Sequence, residues 1–267
     1  MMRPSLARAT LVVGTLAALL LLAAASAAQL RSFYGGNKGV QNRPYDGRFA
    51  FVRVRYQAAR GGNWAGPSWA HGYPVAEQNL LRIMVDLSLL DAEVDDVNVV
   101  TLDDPELFRY PIAYIIEVGW WRLTPAEAAG LRAYLLKGGF LIVDDFKPEG
   151  WRGLPGGGWE PFAAAMKRVL PEARFFDLGP EAPIFHTFFE IPRTLLDDFP
   201  QAYNSGRPVF RGIYEDNDPR KRLLVMVNYN TDVSQYWEWS GFGIRPFGDT
   251  SEAYKLGVNY LIYGLTH

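Results

Sequence analysis

The hydrophobic pattern of residues 122–146, RLTPAEAAGLRAYLLKGGFLIVDDF, is that of a helix followed by a buried strand. Thr124 is followed by Pro125 and then, three residues after the threonine, by Glu127, which is the capping-box signature of a helix start. The apolar residues that follow repeat at the spacing of one helix face: Ala128, Leu131 and Leu135. The pattern predicts an amphipathic helix that packs on a sheet.

The same segment continues into a predicted strand. Gly138-Gly139 ends the helix, because glycine adopts the left-handed C-cap conformation at little cost. Residues 140–143 are apolar on both faces, as in a central parallel strand, and Asp144-Asp145 follow them. Ligands of open α/β sheets bind beyond the carboxyl ends of the strands, so the two aspartates lie where a site is expected.

Strand and helix patterns alternate along most of the remaining chain. Apolar runs predict further strands at residues 49–56, 97–102, 112–118, 174–178, 208–214 and 222–229. This alternation predicts an α/β fold, in which a parallel sheet is covered by helices on both faces. The late hairpin, residues 208–229, adds an antiparallel edge.

Helical spacing predicts three further helices. They begin at Val75, at about Glu160 and at Asp249, where Glu252 completes a second capping box. The last helix is apolar nearly all round, and its Gly257 and Gly264 predict close packing. The segment from Trp237 to Trp239 is predicted to lie in a loop.

The N-terminal residues have the pattern of an export signal. Arg3 and Arg8 precede the apolar run 11–25, and small residues then allow cleavage near Ala28. An uncleaved anchor is the alternative, because no charged residue occurs between Arg8 and Arg31. Both readings predict a periplasmic or otherwise exported protein. The predicted divisions are a signal peptide at 1–28, an extended arm at 29–48 and a single domain at 49–267.

Composition narrows the functional classes. The chain has 267 residues, of which 49% are hydrophobic, and that is enough for one sizeable core. The net charge of −2 and the absence of a basic run argue against nucleic-acid binding. No cysteine occurs, which excludes disulfides, thiolate metal ligands and a cysteine nucleophile.

Several segments resemble one family of exported bacterial proteins, catalogued as domain of unknown function 4159. The resemblance covers residues 33–267 and is carried by RFAFVRVRY, HGYP, GGFLIVDDF, PIFHTFFEIP, VNYNTD and GVNYLIYGLTH. More broadly, YIIEVGWWRLTPAEAAGLRAYLLKGGFLIVDDF resembles the class I glutamine amidotransferase-like superfamily, in its trehalose-utilisation-like branch. The resemblance implies a flavodoxin-like α/β fold outside the inner membrane, and it implies no known activity.

The chain departs from the amidotransferases at the catalytic elbow. Enzymes that resemble it there have a cysteine at the elbow and a His-x-Glu pair late in the chain. Here Asp144-Asp145 stands at the elbow, and the nearest late pattern is His186-x-x-x-Glu190. Thioester chemistry is therefore impossible for this chain, and the fold alone assigns no function.

Tryptophan is concentrated in segments that are predicted as loops after strands. If the strands run parallel, these loops meet at one edge of the sheet, and their indole faces would suit a sugar ring or another flat ligand. The alternative is that the side chains fill a small core of the loops themselves. The ligand-binding candidates are Trp64, Trp69, Trp120, Trp121, Trp151 and Trp237.

Asp144, Asp145 and His186 are the candidates for acid–base catalysis. One aspartate and the histidine would supply a general acid and a general base without a nucleophile. Adjacent strand residues face opposite sides, so at most one aspartate points into a given pocket. The alternatives are an acidic turn and a hydrogen-bonded structural histidine.

Other polar residues flank the same predicted crevice. The further ligand-binding candidates are His71, Glu117, Asn228 and Asn230. No HExxH spacing or calcium-loop pattern occurs, so neither a metal site nor a cofactor is predicted.

Two main functions remain open on the sequence. The first is a non-catalytic exported domain of the cell envelope that binds a small molecule, a glycan or a partner protein in a Trp-rich crevice. The second is a hydrolase that acts on a glycan or an amide through aspartate and histidine. A purely structural role in an envelope assembly is a third. A membrane is expected as a partner only through an uncleaved N-terminal segment.

Overall fold

The structure is a computed structural model that describes residues 40, 42–50, 52–58, 68–146, 158–200 and 207–267. Within these residues, seven strands form one sheet. They are β1 (Val52–Val54), β2 (Asn98–Val100), β3 (Ile112–Ile116), β4 (Phe140–Phe146), β5 (Phe176–Asp177), β6 (Val209–Tyr214) and β7 (Leu223–Tyr229).

The sheet is mostly parallel. Its strand order is β2-β1-β3-β4-β7-β6-β5, and the first five of these strands pair in parallel. β6 runs antiparallel to β7, and the edge strand β5 runs antiparallel to β6. This arrangement confirms the predicted α/β class with a late antiparallel hairpin, and it is consistent with a flavodoxin-like fold.

Six α-helices accompany the sheet among the described residues. They are α1 (Val75–Leu87), α2 (Pro125–Leu136), α3 (Trp159–Val169), α4 (Arg193–Asp198), α5 (Ser234–Glu238) and α6 (Phe247–Thr266). No helix in the described ranges combines the length and the hydropathy that a membrane crossing needs.

The core has one layer on each face of the sheet. Along β3, Ile112, Tyr114 and Ile116 contribute to the layer that α1, α5 and α6 cover. Ala113 and Ile115 contribute to the opposite layer, which α2 and α3 cover. Successive strand side chains point to opposite faces, so a strand buried on both faces must be apolar throughout.

The local helix signals within residues 122–146 act as predicted. The hydroxyl of Thr124 accepts a hydrogen bond from the Glu127 amide at 3.2 Å, and the Glu127 carboxylate accepts one from the Thr124 amide at 2.8 Å. Gly138 has a φ of +113°, the left-handed conformation that ends α2. The capping box and the glycine stop are both confirmed.

The later part of the chain differs from prediction in two places. The last helix begins at Phe247 after Pro246, and no side chain caps it, so the predicted capping box at Asp249 is wrong. The segment around Trp237 is the helix α5 and not a loop, and all five residues of this helix are buried. Gly257 does pack closely, since a Cβ there would lie 2.7 Å from side-chain atoms of Leu80 and Trp237.

The predicted signal peptide, residues 1–28, lies outside the described residues, as do 29–39 of the predicted arm. The described part of the arm contacts the edge strand β2. Asn42 donates to the carbonyl of Val99 at 2.7 Å and accepts from the Val99 amide at 2.8 Å. The side chain of Asn42 therefore satisfies backbone groups that an edge strand otherwise exposes.

Candidate functional site

The candidate site lies where three neighbouring parallel strands end. A residue with left-handed backbone stands at the carboxyl end of each strand: Glu117 (φ 51°) after β3, Asp145 (φ 49°) in β4 and Asn230 (φ 61°) after β7. Residues other than glycine adopt this conformation at a cost, and such positions cluster at functional sites. The three predicted residues are therefore brought to one edge of the sheet.

His71 meets two of these residues. Its Nδ1 lies 3.1 Å from Oδ2 of Asp145 and 3.4 Å from Oε1 of Glu117. The His71 side chain is 31% exposed, whereas Asp145 and Glu117 are buried. The imidazole is therefore the solvent-facing member of a buried acidic group.

A buried ion pair positions the segment that carries His71. Arg53 and Glu77 are both 0% exposed and lie 2.5 Å apart. The same guanidinium donates to the carbonyl of Trp69 at 3.0 Å and to the carbonyl of His71 at 3.2 Å. A charge in the core of the fold thus fixes the backbone on which the site histidine stands.

Two further carboxylates complete the group, which we call the histidine–carboxylate cluster: His71, Glu117, Asp145, Asp232 and Glu238. One ligand-type atom from each of His71, Asp145 and Asp232 lies within 4.8 Å of the other two. Oε2 of Glu238 lies 3.3 Å from the position that a Cβ on Gly72 would occupy, next to His71 in the chain. Both added carboxylates are buried.

The pKa values of the cluster reflect burial and mutual charge. Burial opposes protonation of His71, but hydrogen bonds with Asp145 and Glu117 outweigh it and raise the pKa of His71 to about 11. Burial and the charge of Asp145 raise the pKa of Asp232 to about 6. Burial also raises the pKa of Glu238 to about 7. At neutral pH, His71 is an imidazolium and Glu238 is close to half protonated.

Asp144 has a different role from its neighbour. Its carboxylate accepts hydrogen bonds from the Tyr114 hydroxyl (2.7 Å), the Asn228 amide (3.0 Å) and the backbone amides of Val233 (3.1 Å) and Ser234 (2.9 Å). Burial and the charge of Asp232 raise the pKa of Asp144 to about 6. Asp144 therefore ties β3, β7 and the start of α5 together.

Two of the predicted amide residues are also held by the protein. Asn228 is 0% exposed and lies between Asp144 and the hydroxyl of Tyr260, from which it accepts at 2.9 Å. Asn230 is buried, and its amide donates to the carbonyl of Arg207 at 3.1 Å. Both side chains position the ends of the strands.

His186 does not form the predicted pair with Asp144 or Asp145. Its Nδ1 lies 2.5 Å from Oε2 of Glu190, and its other ring nitrogen contacts the carbonyl of Pro180. Both side chains of the His186–Glu190 pair are exposed, at 37% and 83%. The histidine that meets Asp145 is His71, which lies at the carboxyl ends of β3 and β4.

The described tryptophans give little support to a crevice lined by indole faces. Trp69, Trp121 and Trp237 are at most 7% exposed. Trp237 packs on Tyr114 and donates to the carbonyl of Ala253 at 2.9 Å, so it belongs to the core. Trp120 is half-buried, and Trp64 and Trp151 lie outside the described residues.

Sequence reasoning missed two members of the cluster. Asp232 follows the last residue of β7 by three positions in the segment VNYNTD, so the rule that sites lie at strand carboxyl ends could have found it. Glu238 stands in the segment that was predicted as a loop, and only the folded helix α5 places it beside Gly72. No metal site was predicted, yet His71, Asp145 and Asp232 are side chains of the type that hold a divalent cation.

Fold and site together define a flavodoxin-like α/β domain with a histidine–carboxylate cluster at the carboxyl edge of its sheet. The family model described as Domain of unknown function (DUF4159) matches residues 50–265, so the chain belongs to that family. A comparison with curated proteins gave no match. The description of this family names no activity, so membership alone assigns no function to the cluster.

Proposed function

We propose that this protein is an exported α/β domain that binds a positively charged group of a ligand at the histidine–carboxylate cluster. The single observation that carries the proposal is the meeting of His71 with Asp145 and Glu117 at the ends of adjacent strands. The cluster is partly open to solvent through His71, which gives a ligand access.

The charge of the cluster determines the kind of ligand. Glu117, Asp145, Asp232 and Glu238 are all at most 5% exposed. Among the described residues, the cations that act on the pKa of Asp232 and Glu238 are His71 and Arg53. Arg53 is already paired with Glu77, so His71 is the cation that remains, of these two, to offset both Asp232 and Glu238. Buried charges require partners, which favours a cationic ligand group over a neutral or anionic one.

The proposed binding surface differs from the Trp-rich crevice that the sequence predicts. Trp69, Trp121 and Trp237 pack in the core, so the described residues offer carboxylates and an imidazole to a ligand. An ammonium or amino-sugar group has the charge that matches this surface. A location in the cell envelope is part of the proposal and is supported by the export-signal pattern at residues 1–28.

A relation to the class I glutamine amidotransferases is likewise a proposal. It is supported by the strand order and by the position of Asp145, whose left-handed backbone stands at the carboxyl end of the central strand β4. In such a relation the elbow would have been kept as a backbone feature, while acyl transfer was lost with the cysteine.

Matched pairs of cationic and neutral probes test ligand binding. Putrescine is compared with 1,4-butanediol, and glucosamine with glucose, by calorimetric titration and by the shift in Tm. We expect the amines to bind more tightly than their neutral counterparts, and Asp145→Asn to remove the difference. Glu190→Gln is the control, because Glu190 is an exposed carboxylate paired with the other histidine. Equal binding of amine and neutral probe by the wild-type protein would contradict the proposal.

Hydrolysis by acid–base chemistry is a second candidate, favoured by one observation. The pKa of Glu238 is raised to about 7, mainly by burial, and that value suits a general base or acid at neutral pH. On this alternative, p-nitrophenyl glycosides or p-nitroanilide amides are turned over with a rate that changes around pH 7. Glu238→Gln should abolish turnover. Turnover that Glu238→Gln does not change would exclude Glu238 from the reaction.

A further inference from the structure

We propose that His71, Asp145 and Asp232 bind a divalent metal ion. This inference deepens the proposed function by naming the positively charged group that the cluster accepts. It concerns three side chains from separate parts of the chain, which only the fold brings together. It also departs from the sequence, which predicts no metal site.

The distances fit one ion. The three candidate ligand atoms lie within 4.8 Å of one another. In a tetrahedral site with bonds of about 2.0–2.2 Å, ligand atoms lie roughly 3.4 Å apart. Two atoms that are 4.8 Å apart would therefore have to approach one another by about 1.4 Å, or about 0.7 Å each. The left-handed backbone of Asp145 and the hydrogen bonds of Asp232 to Ser234 and Gln235 hold two of these ligands in place.

Glu238 gives a second and independent indication of a ligand. It is 5% exposed, and its carboxylate makes no hydrogen bond or ion pair with any residue in the described ranges. Yet it lies against the backbone of Gly72 and within electrostatic reach of His71 and Asp232. A buried carboxylate requires a partner, and a cation at the cluster would supply one, either directly or through a bound water.

The negative charges of Asp145 and Asp232 act on one another. Two carboxylates this close repel one another, and the repulsion is strong where water is excluded. His71 offsets part of it, and Glu117 adds a further negative charge at 3.4 Å from the imidazole. A doubly charged cation bound to both carboxylates would be attracted to each of them. His71 would bind it as the neutral imidazole, so metal binding would release the imidazolium proton to solvent.

The ligand types narrow the choice of metal. Calcium takes six to eight oxygen ligands, whereas imidazole nitrogen with carboxylates suits Mn²⁺, Fe²⁺ and Zn²⁺. One histidine with two aspartates, and with Glu117 or Glu238 as a further oxygen donor, fits this second group. We therefore expect Mn²⁺ and Zn²⁺ to bind more tightly than Ca²⁺.

Titration of the chelator-treated full-length protein with MnCl₂ and ZnCl₂, followed by calorimetry and by Mn²⁺ paramagnetic resonance, tests the proposal. We expect one ion per chain, and binding that is at least tenfold weaker in His71→Gln and in Asp232→Asn. The asparagine keeps the oxygen that accepts from the Gln235 amide, so folding should survive. The matched control is His186→Gln, which alters the exposed histidine–glutamate pair and should leave binding unchanged.

The outcomes of these titrations separate the metal site from the proposed function. No Mn²⁺ or Zn²⁺ binding by the wild-type protein overturns the metal site, and so does binding that His71→Gln and Asp232→Asn leave intact. If Asp232→Asn fails to fold, His71→Gln alone decides, because His71 is partly exposed on a connecting segment. If metal binding fails while the amine probes still bind, the metal proposal falls and the proposed function stands. If neither binds, both fall.

Discussion

Nδ1 of His71 and Oδ2 of Asp145 lie 3.1 Å apart, although 74 residues separate them in the chain. The contact joins the segment after β1 to the carboxyl end of the central strand β4. It depends on the parallel order of β1, β3 and β4, which brings the carboxyl ends of these strands to one edge. The Asp145 backbone and the Arg53–Glu77 ion pair fix the two sides of this contact.

Breaking the Arg53–Glu77 pair should destabilise the protein strongly. Arg53→Met leaves a fully buried carboxylate without its cation and removes the donors to the carbonyls of Trp69 and His71. We expect the free energy of unfolding to fall by about 3–5 kcal/mol, measured by urea denaturation. Arg55→Met changes an exposed arginine two residues later and should cost no more than about 0.5 kcal/mol. An Arg53→Met protein as stable as wild type would show that the pair does not hold the site.

The double variant Arg53→Met/Glu77→Met separates charge from packing. Replacing both members of a buried ion pair by apolar side chains is often close to neutral, whereas removing one member is costly. We therefore expect the double variant to be more stable than Arg53→Met alone. A double variant that loses the sum of the two single losses would contradict a direct coupling of these charges.

The hydroxyl of Tyr114 should contribute measurably through Asp144. Tyr114→Phe removes one of the donors to a fully buried carboxylate, at 2.7 Å. We expect a loss of about 1–3 kcal/mol in the free energy of unfolding, because the oxygen that remains is buried with one partner fewer. Tyr45→Phe is the control, since Tyr45 is 38% exposed. If both variants lose the same small amount, Asp144 does not depend on this hydrogen bond.

Glu238 should make stability depend on pH in an unusual direction. Burial raises the pKa of its carboxyl to about 7, with His71, Asp232, Arg53 and Glu77 as the charges around it. A raised pKa means that the folded protein holds this proton more tightly than the unfolded chain. The stabilisation is therefore complete below about pH 4.5, and it is lost as pH rises through about 7.

A neutral replacement isolates this effect from the other carboxylates. In chelator-treated protein, Glu238→Gln should match the wild type near pH 5 and exceed its stability at pH 8, with Tm or urea midpoint as the measurement. Glu190→Gln alters an exposed carboxylate and should follow the wild-type pH profile. If the stability of Glu238→Gln and of the wild type changed with pH in the same way, the pKa of Glu238 would be the same in the folded and the unfolded protein.

Close packing of α6 against α1 and α5 should make Gly257 intolerant of a side chain. A Cβ at Gly257 would lie 2.7 Å from atoms of Leu80 and Trp237, whereas a Cβ at Gly248 has nothing within 4 Å. We expect Gly257→Ala to cost about 1–3 kcal/mol through overpacking. Gly248→Ala, in the same helix, should be neutral or stabilising by up to about 1 kcal/mol. Thermal denaturation compares the two, and equal Tm values would contradict the packing.

Most of the fold could be predicted from the sequence because its signals are local. Three of these signals act over a few residues and are therefore visible in the sequence: the capping box of Thr124 and Glu127, the glycine stop at Gly138 and the apolar run of β4. The start of α6 differs from the prediction because the helix begins at Phe247, directly after Pro246 and two residues before Asp249.

The site was harder to predict, since it depends on long-range placement. Carboxyl-end positions identified Glu117 and Asp145, but no local pattern distinguishes His71 from His186 as the partner of Asp145. That choice follows from where the segment after β1 folds, which the buried Arg53–Glu77 pair helps to set. Glu238 was missed for the same reason, because its position beside Gly72 depends on how the buried helix α5 packs.

The most direct measurement of the central claim is a crystal structure of the protein with Mn²⁺, with anomalous diffraction data that locate the ion. We expect one anomalous peak per chain, bonded to His71, Asp145 and Asp232 at about 2.0–2.3 Å. A map without a peak at these residues, from crystals that hold Mn²⁺ in the surrounding solution, would contradict the claim that the histidine–carboxylate cluster is a divalent-metal site.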